Sequence, residues 1–146
     1  MSITLNKFLK ESGYFCVKLQ FLKTKHYSFE AMINGVNGIF ILDTGASNSC
    51  ICISLEDKFK IISKETIENA SSATSEIINA KVSRNNKIQI GKWKNKINLI
   101  SFNMNHINQV LGEKKIDYVD GILGADILKK SKAILDYKSN KLYLKL

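Results

Sequence analysis

Short stretches in which apolar and polar residues alternate recur along the chain, separated by asparagine and glycine. A period of two marks half-buried strands. "YFCVKLQFL" from Tyr14 alternates in part and reads as a strand. "YSFEAMI" and "IFILD" are separated by Asn34-Gly35 and Asn37-Gly38, which reads as strand, turn, strand. "ICISLEDKFKI" predicts a strand start and then a helical turn from Ser54. From about Ile62 to Met104 the chain is mostly extended in character, with a turn expected at Asn85-Asn86 and clear alternation in "KINLISF". "NHINQVLGEKK" reads as a helix, "YVDGILG" as an apolar strand ending in glycine, and "ADILKKS" as a short helix. "KAILDYKSNKLYLKL" predicts a hairpin turning at about Ser139-Asn140, set up by Asp136. At the start, "TLNKFLKES" predicts a short helix with Thr4 as N-cap and Gly13 as its stop. The sum is mainly β with a few short helices, which suits a barrel or a folded, sandwich-like sheet.

Composition narrows this picture. A chain of 146 residues with 45% hydrophobic content fits one domain with a real core. It contains no proline, low-complexity tract, tandem repeat or obvious linker. No apolar run reaches the roughly 18 residues that span a bilayer. The N-terminal stretch lacks the apolar block of a secretory signal, so a cytoplasmic protein without membrane partners is expected. Three cysteines, Cys16, Cys50 and Cys52, make an odd count without framework spacing, and Cys50-Ile51-Cys52 has no second ligand pair. Free thiols, no metal and no cofactor are expected.

The net charge of +9 opens the question of anionic partners. The lysines are scattered through "KFLKE", "KTKH", "GKWKNK", "GEKK" and "LKKSK", which reads as a solvated surface and not as a nucleic-acid site. Trp93 between lysines is a single aromatic, too little for a stacking platform, and reads as a packed strand residue. His26 and His106 lie far apart, without partner motifs, and read as solvent-facing.

The chemistry concentrates in "GIFILDTGASNS", Gly38 to Ser49. Asp43 follows an apolar strand, where its carboxylate should be largely desolvated unless protonated or hydrogen-bonded. Thr44 and Ser47 offer hydroxyls. Gly45 permits close approach and unusual dihedrals, and Ala46 keeps space open. Ordinary Asp-Thr-Gly turn chemistry is the competing reading of these residues.

"FILDTGAS" resembles the active-site motif of the retropepsin-like aspartic protease superfamily, in particular its bacterial single-domain members. "VDGILGADIL", Val119 to Leu128, resembles the second signature of that superfamily, and the terminal hairpin resembles its closing element. The likeness covers roughly Phe29 to Leu146. It implies one lobe of an aspartic protease: a mainly β, retropepsin-like closed barrel or folded sheet over residues 1–146, with 1–13 as a helical extension outside the family pattern. It implies that Asp43, Thr44 and Gly45 form the catalytic loop, with Thr44 bonding across a subunit interface. Ala46, Ser47, Ile122, Leu123 and Gly124 would support it, Ser47 by bonding the outer oxygen of Asp43. A flap over the cleft falls at Asn69, Ala70, Ser71, Ser72, Ala73 and Thr74, within "NASSATSE".

Only one Asp-Thr-Gly is present. Asp120-Gly121 lacks the hydroxyl and belongs to the Ile-Leu-Gly block, and Asp126 reads as a brace for the following helix. Two carboxyls are needed, so the expected enzyme is a homodimeric aspartic endopeptidase acting on peptide or protein substrates. The alternatives are a non-catalytic peptide-binding or dimerisation module on the same fold and, more weakly, a basic nucleic-acid-binding β domain.

Overall fold

The computed structural model describes residues 3–63, 65–67, 70–71, 76–77, 80–103 and 118–146. Helix α1 (Leu5–Glu11) leads into β1 (Tyr14–Lys18) and the short β2 (Gln20–Phe21). A hairpin of β3 (Tyr27–Ile33) and β4 (Val36–Leu42) follows, then β5 (Cys50–Cys52) and a 3-10 turn over Ile53–Leu55. Next come β6 (Glu65–Ile67), β7 (Ala70–Ser71), β8 (Glu76–Ile77), β9 (Ala80–Ile90) and β10 (Trp93–Phe102). The chain closes with β11 (Gly121–Leu123), α2 (Ala125–Lys130), β12 (Ile134–Asp136) and β13 (Lys141–Lys145).

Strands β3, β4, β11, β5, β10 and β9 pair in that order, and Met32–Gln89 and Ile33–Ile88 pairing returns β9 to β3. The sheet therefore closes into a six-stranded barrel, the mainly β fold expected. Alternation in β3 puts Tyr27, Phe29, Ala31 and Ile33 inside, and β4 contributes Phe40 and Leu42. Phe40 and Phe59 are fully buried and meet with ring centroids 6.0 Å apart. A second antiparallel sheet, β1-β13-β12, delivers Leu142 and Leu144 to the same core.

Several local readings of the sequence hold. Asn34 (φ 50°) and Gly35 (φ 82°) make the β3–β4 turn in the left-handed region that a tight hairpin requires. The Thr4 side chain accepts a hydrogen bond from Lys7 N, and Gly13, at φ 88°, ends α1. Asp136 accepts from Lys138 N at 3.0 Å and from the Ser139 hydroxyl at 2.8 Å, shaping the last hairpin. Trp93 is buried in the core and His26 is exposed. The N-terminal extension is tied down by buried Leu9 and by Asn6 Nδ2 donating to the Tyr143 hydroxyl at 3.1 Å.

Two turn readings are corrected. Asn37-Gly38 lies within β4. A Cβ on Gly38 would stand 2.8 Å from the rings of both Phe40 and Phe59, so this glycine makes room for core aromatics and not for a turn. Asn85-Asn86 lies within β9. Asn85 is left-handed at φ 58°, and the β9–β10 register shifts between Ile97 and Leu99, so the feature is a β-bulge. The Asn98 side chain accepts from Asn85 N at 3.1 Å and satisfies it. The helix expected at "NHINQVLGEKK", with His106, lies outside the described residues.

The barrel depends on a close strand insertion. Strand β11 runs parallel to β4 and antiparallel to β5, separating two strands that are neighbours in the chain. At Gly121 a Cβ would lie 2.3 Å from the Cys50 carbonyl oxygen, a backbone atom that cannot swing away. Gly121→Ala is therefore expected to destabilise the protein by about 1–3 kcal/mol. That loss would appear as a fall of several degrees in thermal midpoint.

Candidate active site

Strand β4 carries the chain to Leu42 inside the barrel, and the next residue, Asp43, leaves it. Asp43 N donates to Leu123 O at 3.0 Å, one step beyond the β4–β11 ladder. Continuing the alternation of β4 places Asp43 on the side of Ile39 and Ile41, away from the core. Asp43, Thr44 and Gly45 are all exposed in the single chain. This corrects the expected desolvation of the carboxylate: the apolar run ends at Leu42, and the acid stands on the barrel's outer surface.

The loop is tight. Gly45 N donates to Asp43 Oδ1 at 2.9 Å, and Ala46 N donates to Asp43 O at 3.2 Å. This is an aspartate turn of the kind local chemistry favours. Gly45 is not left-handed, contrary to the unusual dihedrals expected of it. Its contribution is the donating amide and close packing, since a Cβ would come within 3.3 Å of Asp43 Oδ1.

Ser47 is exposed, and no hydrogen bond joins it to Asp43 in the single chain. The serine that organises the loop is Ser49, which is fully buried. Its hydroxyl donates to Asp126 Oδ1 at 2.7 Å and accepts from Gly124 N at 2.9 Å. Ser49 N donates to Asp126 Oδ2 at 2.8 Å, and Asp126 Oδ1 also accepts from Ile127 N at 2.9 Å. Asp126 is thus a brace, as expected, but it braces the Asp43 loop as well as α2. Ala125 N donates to Ala46 O at 2.7 Å, an approach that Gly124 allows because a Cβ there would meet that oxygen at 2.3 Å.

The second signature therefore meets the first in space. Ile122 and Leu123 pair with Ile41 and Leu42, with Leu123 in the core. On the opposite face, Leu22, Ile41 and Val119 form a small apolar cluster against which Ile122 packs. Asp120 ties the same region: Ile39 N donates to its Oδ2 at 2.9 Å, and Lys58 Nζ pairs with its Oδ1 at 3.2 Å. Neither Ser49 nor the pairing of Asp126 with it was singled out in the sequence. Only the position of Ser49 within "GASNS" could have hinted at a role.

Cys50 stands beside this network. Burial, then the nearby Asp126 and Asp43 carboxylates, push its thiol up to about 12 from 9.0. The thiol donates to Asn48 O at 3.3 Å and stays protonated at neutral pH. None of the three cysteines is in a disulfide; Cys52 is buried and the other two partly so. Among the described residues no cluster of His, Cys, Asp or Glu could hold a metal ion.

Of the expected flap, Ala70 and Ser71 form β7, opposite Ile77 and Glu76 of β8. Asn69, Ser72, Ala73 and Thr74 lie outside the described residues. The register is continuous with the β6–β9 ladder: six residues on from Glu65 is Ser71, and six back from its partner Val82 is Glu76, the partner of Ser71.

The aspartyl protease family profile matches residues 29–127, which holds both signatures, and the chain belongs to that family. The fold is shared with a retropepsin-like aspartic protease from Rickettsia conorii, at 20% identity over 90% of each chain and a TM-score of 0.59. EIAV protease, solved with the inhibitor HBY-793, is similar at 18% identity over 80% of this chain and 98% of its own, with a TM-score of 0.56. The retroviral protease-like domain of Ddi1 from Leishmania major follows at 17% identity over 79% and 84%, with a TM-score of 0.52. No curated protein matches the chain. No described helix is long and apolar enough to cross a membrane.

Two outcomes test the site's construction. Ser49→Ala leaves buried Gly124 N without its acceptor and should cost about 1–3 kcal/mol. Ser47→Ala should stay within about 0.5 kcal/mol, which urea denaturation of both variants measures. A raised thiol pKa means that the folded state holds its proton more tightly. The contribution of Cys50 to stability is thus full below pH 9 and lost as pH rises to about 12. Cys50→Ala should remove that part of the alkaline decline, seen as the difference between the two stability–pH curves.

Proposed function

We propose that the protein is an aspartic endopeptidase that works as a homodimer, hydrolysing peptide bonds with water activated between two Asp43 carboxyls, one from each chain. The supporting observation is the position of Asp43: a single carboxylate, exposed at the tip of a strand, on a loop braced from behind by Ser49 and Gly124. A second chain supplies the second acid.

In this reading the two carboxyls share one proton, because like charges about 3 Å apart do not both ionise cheaply. The ionised one takes a proton from water while the water oxygen attacks the scissile carbonyl carbon. The protonated one hydrogen-bonds the carbonyl oxygen, and the amine leaves with a proton as the C–N bond breaks. Gly45 N fixes the inner oxygen of each carboxylate, and Thr44 bonds across the interface. Ala46, Ile122, Leu123 and Gly124 support the loop. The hairpin that includes β7 and β8 acts as the flap, with residues 69–74 over the substrate to exclude water. The cytoplasmic setting expected from the sequence completes this reading.

Asp43→Asn keeps an oxygen for Gly45 N, so stability should change by no more than about 0.5 kcal/mol. Cleavage of a peptide library should fall at least about 100-fold. Specific activity of the unaltered protein should fall on dilution as the dimer dissociates, followed by sedimentation at the same concentrations. Undiminished cleavage by the Asp43→Asn protein, or by a pure monomer, would overturn the mechanism. Inertness of the unaltered protein toward every peptide, with binding of one, would favour the non-catalytic module.

A further inference from the structure

The lysines that are scattered in sequence are not all scattered in space. Strands β9 and β10 place Lys96 directly opposite Lys87, with Lys94 two residues along on the same face. All three are exposed and line one groove of about 490 Å³ with Met32, Gln89 and Asn95. A fourth ammonium borders it, since Lys130 Nζ donates to Lys96 O. Like charges directly opposite in a ladder are destabilising. None of the three is ion-paired among the described residues, where the one pair is Lys58–Asp120. The acid on the outer face of β3, Glu30, lies two residues from Met32 and lines a different groove.

The rest of the groove fits a peptide. Met32 gives it an apolar side, and Gly35 leaves one end open, with nothing within 4 Å of where a Cβ would stand. Gln89 spends its amide N–H on Gly91 O at 3.0 Å, which leaves its oxygen to accept. Asn95 spends its oxygen on Lys96 N at 2.8 Å, which leaves its NH2 to donate. One acceptor and one donor match a peptide N–H and C=O. Lys94 and Lys96 stand roughly 7 Å apart along the strand, the spacing of alternate side chains in an extended segment. The described lining contains no aromatic ring for base stacking, because Trp93 points into the core.

We propose that this groove binds an extended acidic segment, with aspartate or glutamate at alternate positions, and so selects protein substrates at a distance from the cleavage site. The groove adjoins Gly35, at the opposite end of β4 from Asp43, roughly 25 Å along the strand. The selection of substrates rests on the endopeptidase reading; the binding does not.

The experiment therefore uses the full chain carrying Asp43→Asn and measures fluorescence anisotropy of a labelled peptide of alternating glutamate and serine. The same peptide with glutamine for glutamate is the control. Binding should need the glutamates, and K87Q/K94Q/K96Q should weaken it about tenfold. K7Q/K10Q/K138Q, which removes equal charge elsewhere, should leave it within about twofold. The groove triple variant should be at least as stable as its parent, because the Lys87–Lys96 repulsion is gone. Equal weakening by both triple variants, or no binding of the acidic peptide, overturns the proposal and leaves the catalytic reading untouched. Tighter binding of an oligothymidylate with the same lysine dependence overturns it in favour of single-stranded nucleic acid.

Discussion

Strand β11 lies between two strands that follow one another in the chain, and nearly everything about the site depends on how closely it fits there. Its neighbours approach at backbone distance on both sides. Gly121 faces the Cys50 carbonyl, and Gly124 faces the Ala46 carbonyl, each with no room for a Cβ. Because β11 arrives from about 80 positions downstream of β4, its insertion also closes the barrel around Phe40, Ile51 and Leu123. The hydrogen bond from Asp43 N to Leu123 O and that from Ala125 N to Ala46 O extend this pairing past the end of β4. The loop carrying Asp43 is thus an extension of the sheet, held by these backbone bonds together with the Ser49–Asp126 brace.

Three aspartates cluster around this insertion, and their fates differ. Asp126 is used by Ser49 and Ile127, and Asp120 by Ile39 N and Lys58. Asp126 satisfies buried and half-buried donors, which is the condition for a carboxylate to persist next to a core, whereas the donors to Asp120 are exposed. Asp43 has one local bond, from Gly45 N, and otherwise faces outward. Asp126, which braces the loop from behind through Ser49, is therefore distinct from the acid the loop presents. The thiol of Cys50, pressed between burial and two of these carboxylates, stays neutral and adds no competing nucleophile.

Most of the strands were legible because period-two alternation is a local signal and a barrel strand is buried on one face. The β3–β4 hairpin could be read from "YSFEAMI", Asn34-Gly35 and "IFILD", since Asn-Gly turn chemistry agreed with the pairing. The same chemistry misled at Asn37-Gly38 and Asn85-Asn86, where long-range pairing overrode it: one glycine yields to two aromatic rings, and one asparagine makes a bulge. Asp43 was legible because an acid directly after four apolar residues is conspicuous, although its exposure removes the desolvation cost expected of it. Ser49 was not, because its partner Asp126 lies 77 positions away and both look like ordinary polar residues in sequence. The meeting of Lys87 with Lys96 was hidden for a related reason: only the register of β9 against β10 brings them face to face.

The exposure of Asp43 has an energetic meaning under the proposed mechanism. A carboxylate in water costs a single folded chain nothing, so the monomer can be stable without resolving the conflict that two such groups create. That conflict arises on association, when each acid loses solvent and meets a like charge. Sharing a proton removes one of the two charges, and apolar surface buried at the contact offsets the remaining desolvation. The fold is then stabilised by its own barrel, while the reactive pair is stabilised only by the contact that creates it. Under that proposal the hydrolytic chemistry is off until the chain meets its copy, with no separate inhibitory element required.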